Sequence, residues 1–577
     1  MTFTYSVSAA DWARIAPELV LTVITLLVML ADLFVSPPGK KVTPSKAINF
    51  IILPLLSLLG LAGAFVATII LFVAGDQQPA FNQMIGSDFG SLYAYIIILS
   101  ASTLGILLSP NYLKRLNLLH QGEYYALFLL ATIGMMLMAA ATSFVTIFLG
   151  LEMLSMALYI LCSFVSQRKS SQEAGMKYFL LSSFASAFLL YGIALTYAAT
   201  GNTSFANIGT FLLNKALSNA HLTHVPPHFD PSLHGSALLL VAMGLLIVGF
   251  AFKVSATPFQ AWTPDVYDGA PAPVTGFMSV GTKAAALIAF ARVFDVVFHT
   301  TRGDWMPVVW AITILTIIGG NILALVQSNV KRLLAYSSIA HAGYLLIGVV
   351  VGGIVGLSSI LFYLLCYTFL NLGAFGVVSV LERIDNSGSS YSEIRGLWYR
   401  QPLLAGLLAV FMFALAGFPP MAGFAGKYYL FYAALVGGHP ELLIIGVLAS
   451  VLGMYYYLRV AATMFMEKEP IISTSVPATP APTGRRNSTR SGNIGTMVAP
   501  SSSRATAVAV KPATKAASTN SATPPATKSI EAGQPAQVGV MSWIALGIAF
   551  VGMFAMGTVL PFWLVGLAQQ AAQMMLR

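Results

Sequence analysis

Residues 236–262 read SALLLVAMGLLIVGFAFKVSATPFQAW. At ~1.5 Å per residue the apolar part is long enough to cross a ~30 Å hydrocarbon core as a helix. Lys253 stands near its end, and Pro258 follows. A proline has no N–H to give and crowds the carbonyl four residues back, here that of Val254, so the helix opens one residue after the lysine. A second stretch has the same ingredients: LAGFPPMAGFAGKYYLF at 415–431. There Pro419 and Pro420 free the carbonyls of Leu415 and Ala416, and Gly417, Gly423 and Gly426 loosen the turn before Lys427. Carbonyls freed at membrane depth must be met by side chains or water. A charge kept at a broken membrane helix is costly and points to ion or proton movement.

The rest of the chain fits a membrane. Of its 577 residues 57% are hydrophobic and 9% charged, against about 25% charged in a soluble domain. Apolar stretches recur at 14–36, 48–73, 91–109, 125–141, 144–166, 176–199, 236–258, 274–297, 306–326, 333–352, 356–381, 401–420, 441–466 and 541–569. The expectation is an all-α polytopic membrane protein with about 14 transmembrane helices. The first stretch is too long for the core of a signal peptide and lacks a basic lead-in, so it reads as a span. Cys162 and Cys366 fall inside spans and read as packing residues. No GxGxxG follows a strand, no GxxxxGK[ST] phosphate loop is present, and no Cys/His cluster is spaced for a metal. The expectation is therefore no cofactor and no metal in this chain.

Basic residues alternate between loops. Lys40, Lys41, Lys46, Lys114, Arg115, Arg168, Lys169, Lys331, Arg332, Arg383, Arg395 and Arg400 fall on one side, with little beyond Arg14, Lys215 and Arg302 on the other. Basic loops stay cytoplasmic, so both termini are expected to face outward and the 467–540 connection inward. Residues 471–540 are rich in Ser, Thr, Ala, Pro and Gly, which predicts a disordered linker. Its bases (Arg485, Arg486, Arg490, Arg504, Lys511, Lys515, Lys528) face the single acid Glu531. They suit attraction to anionic lipid headgroups better than nucleic-acid binding, and no nucleic-acid partner is expected.

Other ionisable groups lie deep. Glu152 is about 8 residues into its span, close to the bilayer centre at ~1.5 Å per residue. Lys283 is central in 274–297, and His341 is similarly placed in 333–352. Each could simply tie helices together. Three lysines, an acid and a histidine at similar depth favour proton transfer instead, since each must find a partner in hydrocarbon. A buried lysine whose acid partner approaches or retreats can be loaded and unloaded with a proton. The two breaks fall in about the seventh and twelfth spans. An odd separation gives two five-helix units of opposite topology, the pattern of inverted-repeat transporters. The domain reading is 1–124 for three N-terminal helices, 125–297 for a first repeat, 298–466 for an inverted second repeat, 467–540 for the linker and 541–577 for a last helix.

FKVSATPFQAWTPDVYDGAPAPVTGFMSVGTKAA (252–285), NILALVQSNVKRLLAYSSIAHAGYLL (321–346), LAGFPPMAGFAGKYYLF, GLEMLSMALYILCSF (150–164) and LNLGAFGVVSVLE (370–382) together resemble one family. It is subunit N of the proton-pumping NADH–quinone oxidoreductase, respiratory complex I, an antiporter-like membrane subunit. The similarity covers roughly 10–466 and the last span, and WTPDVYDGAPAPV is a specific signature. The chain departs from the family at 467–540, where the link is usually much shorter. Carried over, the resemblance implies that Glu152 is the acid of the fifth span and Lys253 the lysine of the broken seventh. Lys283 is then the central lysine of the eighth span, Lys427 that of the broken twelfth, and His341 a polar link between half-channels.

The resemblance implies one proton-translocating module coupled to electron transfer from NADH to quinone. NADH, FMN, iron–sulfur clusters and quinone chemistry would reside in other subunits. Partners would be the other membrane-arm subunits and the bilayer, in a bacterial inner membrane. Two other readings use the same residues: a cation/proton antiporter subunit driven by an ion gradient, and a passive scaffold completing the arm.

Overall fold

Most of the expected apolar runs coincide with helices to within a few residues. The computed structural model describes residues 8–35, 49–116, 118, 121–219, 237–383, 387–466 and 538–576. The expected linker at 467–540 lies outside the described residues except for its last three positions. A short α1 (Ala9–Arg14) is closed by a capping box between Ser8 and Asp11. It leads into α2 (Ala16–Val35), which packs with α3 (Asn49–Ala74), and α3 packs on α4 (Phe89–Arg115).

Next come α5 (Gly122–Ala139), α6 (Phe144–Cys162), α7 (Lys169–Thr200), α8 (Phe205–Asn219), α9 (Ala237–Val254), α10 (Trp262–Gly269) and α11 (Ala272–Arg292). After a π turn at Val293–Val297 follow α12 (Arg302–Leu325), α13 (Val330–Val351), α14 (Gly353–Leu381), the short α15 (Tyr391–Ile394) and α16 (Leu397–Arg400), α17 (Pro402–Ala416), α18 (Ala422–Val436) and α19 (Pro440–Met466). The last two are α20 (Val540–Thr558) and α21 (Pro561–Met575).

Twelve of these helices are long and apolar enough to cross a membrane. The two expected spans missing from that set have physical reasons. The span at 274–297 is α11, whose interior carries Thr275, Ser279, Thr282 and Lys283; all its residues are buried, so it needs no lipid-compatible surface. The span at 401–420 stops at Ala416, because the prolines break it into α17 and α18, each 15 residues. The expected last span likewise ends at Thr558, and Pro561 starts α21 at a first-turn position.

Small residues let the core helices touch. A methyl group on Gly134 of α5 would come within 2.5 Å of the Leu154 nitrogen on α6, and one on Gly150 within 2.7 Å of Met138 N. The α12–α13 pair is built alike, with Gly320 against Ala340 N at 2.6 Å and Gly343 against Ile317 N at 2.7 Å. A second feature also recurs. Ahead of α6, Phe144 N donates to Thr203 O and Phe205 N to Thr142 O, both 3.0 Å. Ahead of α13, Val330 N donates to Ser389 O (2.8 Å) and Tyr391 N to Ser328 O (3.0 Å).

Two bases read as loop residues are not solvated. Arg168 is 6% exposed and Lys331 0%. Both are folded into the ends of the helix bundle, because a buried carboxylate, Glu382, is there to receive them.

Candidate functional site

Both broken helices close in the same way. At the first, Ser255 takes a left-handed conformation (φ 65°) and Ala256 N reaches back to Ala251 O at 2.8 Å. At the second, Gly417 is left-handed (φ 96°) and Phe418 N reaches Phe413 O at 3.1 Å. This six-to-one bond with a left-handed residue is a Schellman-type helix end. Both breaks also carry a cis prolyl peptide, Thr257–Pro258 and Pro419–Pro420.

The closure at α17 satisfies Phe413 and Ala414 and leaves Leu415 and Ala416 over. Lys427 Nζ, from the buried face of α18, donates to both of those carbonyls at 3.0 Å and to Ser450 Oγ of α19 at 3.0 Å. The carbonyls that the proline pair frees are thus the ones the lysine holds. Its ammonium also lies 5.4 Å from the centre of the Tyr344 ring.

At the first break, Lys253 is the penultimate residue of α9 and is 2% exposed. Its Nζ donates to Ser155 Oγ of α6 at 2.6 Å and to Ser182 Oγ and Tyr178 Oη of α7 at 3.3 and 3.5 Å, again with a tyrosine ring 5.4 Å away. Glu152 lies one turn before Ser155 on α6, and its Oε1 is buried without a hydrogen-bond partner. The acid and the lysine are therefore near one another but not joined.

Between the breaks stands Lys283, 1% exposed, whose Nζ donates to the Ser338 carbonyl and hydroxyl on α13. The next residue back, Ser337, shares a short hydrogen bond with Tyr457 Oη of α19. Tyr457 Oη also meets His341 Nε2 at 3.0 Å, while His341 Nδ1 meets Tyr363 Oη of α14. The His341 ring is edge-on to Tyr344 at 5.7 Å, the same tyrosine that lies beside Lys427. Sequence reasoning selected the lysines, the acid, the histidine and the prolines. It missed Ser155, Tyr178, Ser182, Ser337, Ser338, Ser450 and Tyr457. The available signal was helical spacing: Tyr178 with Ser182, and Ser337 with His341, fall four residues apart on one helix face.

A family described as the transmembrane part of NADH:quinone oxidoreductase and the Mrp antiporter matches residues 141–453, a range holding all five of these titratable groups. A protein of Trichlorobacter lovleyi named NADH-quinone oxidoreductase subunit N is 43% identical over 453 residues, covering 78% of this chain and 87% of that protein. The subunit N of Chloroflexus aggregans is 41% identical over 469 residues, covering 81% and 91%. A chain in the structure of respiratory complex I from Thermus thermophilus with bound aureothin is similar with a TM-score of 0.66 and 27% identity, over 95% of this chain and 98% of that one. The Mrp complex from Dietzia sp. shares the fold, with a TM-score of 0.70 at 20% identity over 97% of this chain and 96% of that one.

Proposed function

The chain belongs to the NADH-quinone oxidoreductase subunit N family, and on that premise we propose that protons cross it along the row Glu152, Lys253, Lys283, His341 and Lys427. It is a proton-translocating, multi-span membrane subunit of that oxidoreductase, alongside other antiporter-like subunits. NADH, FMN, the iron–sulfur clusters and quinone belong on this reading to other subunits, and this chain's work is electrostatic. The membrane is the bacterial inner membrane, with both termini periplasmic and the 467–540 connection cytoplasmic.

The observation that carries the row is the set of hydrogen bonds from Lys283 through Ser338, and from Ser337 through Tyr457 to His341. Hydroxyls both donate and accept, and an imidazole takes a proton on one nitrogen while releasing one from the other. Lys253 starts the row. Movement of Glu152 toward its ammonium favours the charged form, and withdrawal favours release of the proton toward Lys283. At the far end Lys427 receives charge beside Tyr344, where the two freed carbonyls of α17 stabilise an ammonium without neutralising it.

Tyr457→Phe tests the row directly, because it deletes one oxygen from the middle. His341 Nε2 and Ser337 Oγ would each lose a buried partner, a cost of about 1–3 kcal/mol apiece. The expected outcome in reconstituted vesicles is an assembled complex with fewer protons moved per electron. Full pumping in that variant would remove His341 and Tyr457 from the path.

A further inference from the structure

Where α14 ends, a second buried ionic group lies outside the proton row. Glu382, 3% exposed, follows the last residue of α14. Its Oε1 accepts from Arg168 Nη1 (2.5 Å) and Tyr112 Oη (3.0 Å) and lies 3.4 Å from Lys331 Nζ. Its Oε2 accepts from Ala272 N, the first residue of α11, at 3.1 Å. Lys331 Nζ in turn donates to Ala270 O at 2.7 Å. Arg115 reaches the Val380 and Ser379 carbonyls that α14 leaves open at its end. One carboxylate thus joins α4, the start of α7, the start of α11, α13 and the end of α14.

What those contacts grip is the corner between α10 and α11. That corner, Ala270 and Pro271 with Ala272 at the helix start, links α10 to the helix that carries Lys283. On its other side α10 follows the broken end of α9 and Lys253 through the turn at 255–261. Trp262 at the start of α10 donates to Phe252 O at 3.1 Å, so α10 and the Lys253 turn are tied as well.

We infer that Glu382 is a positioning residue: it fixes the α10–α11 corner and thereby sets where Lys253 stands relative to Lys283. The functional half of this inference rests on the proton row proposed above. The charged and titratable groups facing Glu382 are Tyr112 and Arg115 from α4, Arg168 before α7, Asp268 from α10, Lys331 from α13 and its own neighbour Arg383. The corner is held both by a carboxylate accepting its N–H and by an ammonium donating to its carbonyl. Removal of the carboxylate charge strands buried cations, and the corner is the nearest backbone able to yield.

The test uses the whole membrane complex carrying Glu382→Gln, which keeps the shape and loses the charge. Amide hydrogen exchange reads position without reference to pumping. The segment 255–271 should exchange at least about tenfold faster, while 417–426 at the other break stays as in the unaltered complex. Protons moved per electron in vesicles should fall, and the pH profile of pumping should shift. Unchanged exchange at 255–271 would overturn the positioning role itself. Faster exchange with unaltered pumping and pH profile would keep the mechanical link and overturn its functional half, along with the placing of Lys253 in the proton row. Should Glu382→Gln fail to assemble, Lys331→Gln, which leaves the Arg168–Glu382 pair standing, replaces it with the same expected and overturning readings.

Discussion

Lys253, Lys283 and Lys427 share an unusual kind of company: their hydrogen-bond partners are hydroxyls and carbonyls, and among the described residues no carboxylate pairs with them. A lysine locked to a carboxylate strands a buried charge when it loses its proton. One held by neutral oxygens does not, so its proton can leave without tearing open an ion pair. In the proposed row, Glu152 is the element that acts at a distance, and its movement is the variable one. Lys253→Ala and Glu152→Gln should each slow proton translocation by at least about tenfold with the complex intact. The double variant should do little further harm, because residues acting as one unit are not additive. Proton uptake and release in vesicles, measured for both singles and the double, decides the matter. Damage that simply multiplies would make the pair structural. The same scale shows an oversight in the reading of the first span: Glu18, 4% exposed, accepts a short hydrogen bond from Tyr95 of α4. It sits in the first turn of α2, where an acid reads as a solvated helix start.

The elements show what was legible and what was not. A proline inside an apolar run is a strong local signal, so both breaks and the two carbonyls freed beside Lys427 could be read from sequence. The helix after the second break could not, since α18 is only 15 residues and dilutes its apolar face with glycine, lysine and three tyrosines. The hydroxyl partners were hidden for another reason. Serine and tyrosine occur throughout membrane helices, and only their convergence from different helices gives them a role. The span expected at 274–297 is present as α11, and its polar residues are tolerated because protein encloses the helix on all sides. Helix contact makes its own prediction. Gly134→Leu would push a side chain into the backbone of α6, and Gly320→Leu into that of α13, each costing about 3 kcal/mol or more. Thermal unfolding of the detergent-solubilised complex should shift downward for both, whereas Gly303→Ala, with open space around it, should leave it unchanged.

For the molecule as a whole, α5–α6 and α12–α13 share two features, and we propose them as equivalent parts of two repeats. Each pair crosses through glycines, and in each the link between the two helices makes the same two-bond bridge to the segment after the next helix. The loop-charge argument for orientation loses two of its bases, Arg168 and Lys331, to the Glu382 cluster. The remaining asymmetry still predicts that a label applied from the cytoplasm reaches cysteines placed in 471–540. Labelling only from the periplasm would reverse the orientation and with it every half-channel. Composition alone makes a further prediction there. Deletion of residues 475–535 should leave assembly and NADH–quinone turnover close to those of the full chain, read from native gel mobility and activity. Dissociation of the complex would show that the segment holds a partner.

The end of the chain rests on what precedes it by a long way in sequence. α20 packs on α4, α14 and α18, and α21 on α4 and α14. Gln569 donates to Tyr429, two residues from Lys427, at 3.0 Å. Roughly 70 residues separate α19 from α20, which at about 5–20 residues per second is a delay of about 4–14 s during synthesis. Through that interval the faces of α4, α14 and α18 that α20 and α21 cover lack those partners. The packing around the second break is therefore finished late in synthesis, by helices that follow α19 only after that gap.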